Sequence, residues 1–349
     1  MNKKEKKYIK FVKRLVQCLE KLRIRKHNSK FSKKTYNNWI HIILLALRQR
    51  IDKSYRDFCD IISVCTEILA LLGIKEAPHF TTLQKAAKRL KINFLEKVVS
   101  GFLLLTINVN VRTGIDSTGL QPTRASAYYT KIIKKDKKSR RKIRKHIKLT
   151  LFVDLIQQII ISQKIRRGPA NDNKDFKPVV LKGEKFLDKS EKKIKSTDAD
   201  KGYDSEENHK LVVEKLQAED RMKIKNKDKP IWKTKGEYRK KAKRRINRLR
   251  RNYRSTVETI NSVIKRVEGS TVRSIKTGMQ NREVLFKEIA YNASRLSKTL
   301  IYLLRISTEP LYKQVYILNY KSNIMVEYTA KQMFEEIAAA LQLNFQDKT

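Results

Sequence analysis

The chain has 349 residues, with 81 Lys and Arg against 35 Asp and Glu, a formal net charge of +46. That excess points to a polyanionic partner, nucleic acid before an anionic membrane surface, while 40% hydrophobic residues exclude a merely disordered basic tail. Three cysteines without C-x-x-C spacing, apolar stretches too short to span a bilayer, and no apolar run with a cleavage site behind the basic N-terminus give an expected intracellular protein with free thiols.

Residues 1–105 are predicted to be helical. Phe11, Leu15, Cys18, Leu19 and Leu22 recur at helical spacing, as do Trp39, Ile42, Ile43, Ala46 and Leu47. Tyr55, Phe58, Ile61 and Ile62 open a helix expected to run to Leu72 and stop at Gly73. Pro78 marks a connection, Thr81 or Thr82 is placed to cap the next helix, and Leu83, Ala86, Ala87 and Leu90 supply its buried face. Helix, glycine turn, helix is compatible with groove reading, although simple bundle packing explains the same pattern and is the stronger reading.

The period changes at Ile107. Ile107, Val109, Val111, Thr113 and Ile115 alternate with polar residues, as in a strand, so Asp116 falls on the opposite face near its end. Leu149, Leu151 and Val153 form a second alternating run and Ile159 to Ser162 a third, close enough to be antiparallel neighbours. Beyond Gly168-Pro169, Phe176 to Leu187 is ambiguous, Lys195 to Asp200 is a strand candidate, Glu207 to Leu216 is helical, and Met222 to Lys225 is a further strand candidate. The order predicts an α/β fold, a mixed sheet flanked by helices behind an α-helical N-terminal domain.

Two stretches concentrate charge. Lys131 to Lys148, with Lys142 and Arg144, holds eleven Lys or Arg against one Asp; Lys233 to Arg254, with Arg244, Arg245 and Arg248, holds twelve against one Glu. Such runs are commonly solvated faces, but these flank acidic motifs and suit a duplex backbone, setting affinity and register without reading sequence. On a helix, Arg254, Glu258 and Lys265 fall within roughly 40° of one another, with Asn261 between them, beside an apolar flank of Val257, Ile260, Ile264 and Val267.

Asp116 ends a strand, Asp200 ends another before a glycine turn, and Glu258 projects from a half-buried helix. Carboxylates delivered from separate elements to one sheet edge make a divalent-ion site. At an effective dielectric near 20, two of them about 4 Å apart repel by roughly 4 kcal/mol, so the trio needs a counter-charge. Mg²⁺ fits, being an oxygen-seeking ion shared with substrate phosphates, and Mn²⁺ could substitute. Asp198, two residues earlier on the same strand face, rivals Asp200, and Asp204 is placed to cap the following helix.

These residues resemble the DDE transposases of prokaryotic insertion sequences, in the branch with a Y-x2-R-x3-E-x6-K signature. Arg254, Glu258 and Lys265 fit that signature, with Arg251 at its tyrosine position and Tyr253 two residues later. Ile115-Asp116-Ser117-Thr118 is similar to the family's first-Asp strand, and Ala199-Asp200-Lys201-Gly202-Tyr203-Asp204-Ser205 to its second-Asp motif, a match that selects Asp200 over Asp198. Ser54-Tyr55-Arg56-Asp57 and Pro78-His79-Phe80-Thr81-Thr82-Leu83 resemble the helical leader. The likeness spans roughly residues 31 to 300.

The resemblance implies an RNase H-like catalytic domain, built on a five-stranded mixed sheet, over 106–296. A helical domain over 1–105, a candidate for DNA-end binding, would precede it, and a helical extension over 297–349 would follow. Asp116, Asp200 and Glu258 would hold two Mg²⁺ ions, and Arg254 and Lys265 would contact DNA near the cut, with Arg251 beside them. The implied reaction is hydrolysis at the element's terminal inverted repeats and transfer of the freed 3′-hydroxyls into target double-stranded DNA. A homodimer would hold the two ends together, with Leu296 to Leu304 a candidate contact, in a prokaryotic cytoplasm at the nucleoid and not at a membrane. The alternative is a non-catalytic basic nucleic-acid-binding protein or an inactive transposase copy.

Overall fold

The structure is a computed structural model that describes residues 6–27, 31, 35–122, 146–168, 170–225, 228–246 and 254–308. The chain divides into two units, Met1–Arg295 and Leu296–Thr349. Of the second unit, only the end of one helix, up to Thr308, is described.

The leader contains α1 (Lys7–Lys21), α2 (Asn38–Ile51), α3 (Tyr55–Ser63), α4 (Thr66–Leu72), α5 (Phe80–Arg89) and α6 (Ile92–Gly101). Asn37 caps α2 by accepting a hydrogen bond from the Ile40 amide at 3.0 Å, and Asp52 ends the helix at φ 55°. Residues 40–49 of α2 are all buried, so this helix is the core of the leader. The single helix expected over 55–72 is in fact two. Ser63 Oγ donates to the Asp60 carbonyl at 2.7 Å, competing with the helical ladder, and the chain restarts after Cys65. Thr81 and Thr82 lie inside α5 and do not cap it; His79 precedes the helix, its Nδ1 2.8 Å from Thr81 Oγ1.

The sheet has the order β3-β2-β1-β4-β5, in which β1 (Asn110–Pro122), β2 (Ile147–Asp154) and β3 (Ile159–Arg167) are antiparallel neighbours. β4 (Lys193–Ala199) and β5 (Glu219–Asp220) run parallel to β1, and a sixth short strand, β6 (Thr271–Val272), pairs with the far end of β1. The predicted mixed sheet is therefore present, with one strand more than the five implied. β1 starts three residues later than the alternation suggested, because Ile107 and Val109 are exposed (74% and 57%), and only the Val109 carbonyl meets the next strand, accepting from the Lys193 amide at 2.9 Å. β5 falls earlier than the expected Met222–Lys225, although the amides of Arg221 and Lys223 still donate to the Thr197 and Ala199 carbonyls at 3.0 Å.

The ambiguous segment is a helix, α7 (Asn173–Asp188). It packs on one face of the sheet, where Ser162 Oγ donates to the Val179 carbonyl at 2.8 Å and Gly183 lies flat against the Phe152 ring. α8 (Glu206–Lys210) continues as a turn of π-helix over Leu211–Lys215, followed by the basic α9 (Glu237–Ile246), α10 (Arg254–Val267) and α11 (Thr277–Thr308). α10 covers the opposite face of the sheet.

Buried contacts join the leader to the sheet and its helices. Asn292 of α11 accepts from the Ile160 amide at 2.9 Å and donates to the Ile160 and Val99 carbonyls at 3.0 Å, so one amide satisfies the edge of β3 and the end of α6. Arg50 of α2 pairs with Glu268, just past α10, at 2.6 Å, both side chains nearly inaccessible. Burial pushes Glu268 up against the pull of Arg50, and Lys287 donates to the Glu268 and Gly269 carbonyls beside it.

Gly183→Ala would drive a methyl group into the Phe152 ring. Overpacking of this kind costs about 1–3 kcal/mol, more than the helix propensity that alanine regains, so urea denaturation should show a lower midpoint with an unchanged slope.

Candidate active site

β1 brings Asp116 to the face covered by α10. The two elements approach closely because residue 114 has no side chain. A Cβ at Gly114 would stand 2.7 Å from both Leu155 Cδ2 and Val257 Cγ2. Val257, Ile260 and Ile264 of α10 are buried against the sheet, which leaves Glu258 on the exposed side. Between strand and helix lies a groove of about 520 Å³, lined by Asp116, Ser117 and Thr118 from β1 and by Glu258, Asn261, Ser262, Lys265 and Arg266 from α10. Asn261, itself buried, donates from Nδ2 to Asp116 Oδ2 at 3.1 Å and so fixes the orientation of that carboxylate.

Asp200 arrives from β4. Parallel pairing sets Ile115 opposite Ala199, so the next residues, Asp116 and Asp200, fall at neighbouring register positions on one side of the sheet. Asp200 begins the 3-10 turn Lys201–Tyr203, closed by the Tyr203 amide donating to the Asp200 carbonyl at 2.9 Å. The Tyr203 side chain passes to the α7 face, its ring 5.9 Å from that of Phe176 and its hydroxyl 2.8 Å from Ser117 Oγ, which lies 2.9 Å from Thr150 Oγ1. Burial pushes the Tyr203 phenol far above its ordinary value, so it stays protonated and keeps this bond. Through it the second acidic loop is tied to the residue next to Asp116.

Asp198, the rival position, sits opposite Gly114, is buried, and pairs with Arg221 at 3.4 Å. Asp204 does not cap α8. Ser205 does, accepting from the Asn208 amide at 3.3 Å. Asp204 instead receives Arg239 at 2.7 Å on both oxygens, the Lys225 amide at 2.7 Å and His209 Nε2 at 3.1 Å. The other nitrogen, Nδ1, meets Asp220 Oδ2 at 2.5 Å. Burial opposes the charge on His209, but the two carboxylates overcome it and push its pKa up to about 9. This buried network braces the turn that follows Asp200.

Among the described residues, no three His, Cys, Asp or Glu side chains stand close enough to hold a metal ion. Asp116 and Glu258 share the groove, and Asp200 is the register neighbour of Asp116. The oxygen-only donor set suits a hard divalent cation. Lys265 lines the groove, and Arg244 and Arg245 are exposed on α9. For Arg254 the backbone is described, at the start of α10; Lys142, Arg144, Arg248 and Arg251 lie outside the described residues. Sequence reasoning missed the parts of Arg266 and of the Ser117–Tyr203 bond, for which the only signal was their adjacency to Lys265, Asp116 and the second-Asp turn.

The family model for the transposase DDE domain matches residues 111–293, from the start of β1 into α11. The chain belongs to this transposase family. No curated protein matches it. Membership implies DNA as partner, and the family generally uses divalent metal ions. No helix among the described residues of this transposase is long and apolar enough to cross a membrane.

His209 contributes its stabilisation in full below about pH 6.5 and loses it as pH rises through about 9. Asp204, held well below the carboxylate range by its hydrogen bonds despite burial, contributes above its ordinary value and loses this as pH falls. Unfolding free energy should therefore fall by on the order of 2–3 kcal/mol between pH 6.5 and 9.5. His209→Gln should be less stable at pH 6.5 and should lack this alkaline decline, as urea titrations across that range would show.

Proposed function

We propose that this protein is an active DDE transposase, cutting DNA at the ends of an insertion sequence and joining the freed ends to a target. The observation that supports this reading best is the groove itself. It sets Asp116 and Glu258 on facing walls, Asp200 at the register position beside Asp116, and Lys265 farther along the same helix.

In this reading, residues 106–296 form an RNase H-like catalytic domain, 1–105 a leader that holds DNA, and 297–349 a helical extension. Asp116, Asp200 and Glu258 would hold Mg²⁺, or Mn²⁺ in its place. Two such ions, when bound, would activate the attacking oxygen and stabilise the departing one. Asn261 keeps Asp116 Oδ2 oriented, while Lys265, Arg254 and Arg251 bear the phosphate charge that grows in the transition state. Water first displaces the 3′-oxygen at the element's terminal inverted repeat, leaving a 3′-hydroxyl. That hydroxyl then attacks a target phosphorus and displaces its 3′-oxygen, conserving the number of phosphodiester bonds. Both steps are in-line displacements at one place, so no nucleophilic side chain is needed. A homodimer at the nucleoid would hold both ends.

The test uses inverted repeats identified in the DNA flanking the coding sequence. Asp116→Asn, Asp200→Asn and Glu258→Gln should each lower Mg²⁺-dependent strand transfer by at least about a hundredfold while leaving DNA retention intact. Equal product from all four proteins would refute the assignment, and no product from any would favour an inactive copy or a non-catalytic binder.

The basic stretches give a second expectation. Neutralising Arg244, Arg245 and Arg248 should flatten the salt dependence of duplex binding by roughly one logarithmic unit per lost phosphate contact. Lys142 and Arg144 should behave in the same way if the first basic stretch holds the opposite flank of the duplex.

A further inference from the structure

The leader contains a second cavity, remote in sequence from the carboxylates, with a volume of about 1080 Å³. Its walls come from the turn after α1, the start of α2, the end of α5 and the start of α6. Six cations line it, Arg23, Arg25, Lys26, Arg89, Lys91 and Lys97, with no Asp or Glu among the lining residues. All six are exposed, so their charge faces the space and the solvent at its mouth.

The cavity is built rather than incidental. The Trp39 indole donates to the Ile24 carbonyl at 2.8 Å and the Asn38 amide to the Lys26 carbonyl at 2.8 Å, holding the basic turn against α2. On the other wall, Arg282 of α11 donates to the Leu90 carbonyl at 2.6 Å. His41 lines the space while 92% buried, and its Nε2 has no hydrogen-bond partner among the described residues. Burial, aided by the nearby Arg89 charge, lowers His41 to about 4, so at neutral pH it is an uncharged imidazole in a positive field. Tyr36, with its hydroxyl on the Glu76 carbonyl, and Phe94 add aromatic surface.

A compact space of this volume is about 13 Å across, close to the width of the major groove alone at about 12 Å and so narrower than the whole double helix that carries that groove. The side of a double helix cannot enter it, but a separated strand can. Cations tracking a backbone, with aromatic faces for bases, are the two ingredients of single-strand binding. The geometry points to a site for single-stranded DNA in the leader, its phosphates on the Arg89 and Lys91 side, its bases against Tyr36 and Phe94, and an unpaired His41 nitrogen within the wall. The inference rests on DNA being the partner of this transposase, and it adds a strand-selective site distinct from the groove at Asp116.

The experiment measures binding of the full chain to a labelled oligothymidylate and to a blunt duplex of equal length, by fluorescence anisotropy over a range of salt. Arg89→Gln/Lys91→Gln should weaken single-strand binding tenfold or more and flatten its salt dependence by about 1.4 logarithmic units, at about 0.7 per lost contact. Tyr36→Ala should weaken it at least about fivefold with little change in salt slope, as lost stacking requires. Duplex affinity should change less than twofold in each, with unchanged thermal melting showing that the variants fold. Unchanged single-strand affinity in Arg89→Gln/Lys91→Gln would overturn the proposal, as would equal losses for strand and duplex. A wild-type protein that binds duplex but no single strand would overturn this site and leave the transposase reading standing. Binding to neither would remove the DNA reading itself.

Discussion

Parallel pairing of β1 with β4 is the constraint on which the site depends. Once Ile115 stands opposite Ala199, Asp116 and Asp200 are neighbours, whatever loops join the strands. A slip of one residue would send one carboxylate to the α7 face and separate the pair. The side-chain ladder on that face opposes such a slip. Thr113 Oγ1 lies 3.0 Å from Thr197 Oγ1 within the paired strands, and the Tyr203 hydroxyl reaches Ser117 from the turn beyond β4. The third carboxylate depends on a different device, the bare Gly114 that lets the Val257 flank of α10 settle on the sheet.

A chain carrying +46 ties down part of its positive charge with carboxylates set within the fold. Asp175 gathers Lys148, Lys164 and Arg166 between α7 and the outer strands. Asp204 and Asp220 enclose His209, and Glu206 accepts from the Tyr238 and Arg239 amides to start the basic helix α9. Interior carboxylates are expensive unless paired, and these four are met by cations, an imidazole or backbone amides. The excess of exposed lysines and arginines gives the surface the positive field that a phosphate-binding protein requires.

The sheet was largely legible because alternation is a local property. The runs at Leu149 and Ile159 became β2 and β3, and the α10 spacing became a half-buried helix with Glu258 outward. What could not be read was decided by competition beyond the local pattern. Ser63 turned toward its own backbone and split a helix whose apolar spacing was continuous. Ile107 and Val109 fit a strand by period but stay exposed ahead of its first paired residue. The ambiguous segment is the helix α7 even with Pro178 inside it, its Phe176, Val179 and Val180 buried. At the site, the motif spacing singles out acidic positions as candidates, whereas the Asn261 and Tyr203 bonds depend on register and turn geometry that no spacing encodes.

The pairing of Arg50 with Glu268 has a bearing on how the protein can be divided. Glu268 ends the helix that carries Glu258, and its carboxylate is neutralised from α2, more than two hundred residues earlier in the chain. Removing the leader would take Arg50 from this buried carboxylate, leaving only Lys287 of these two cations beside it, and would free the Asn292 amide from α6 as well. The two predicted modules are thus poor candidates for separate expression. An evolutionary exchange of leaders between relatives would have to carry both halves of that seam together.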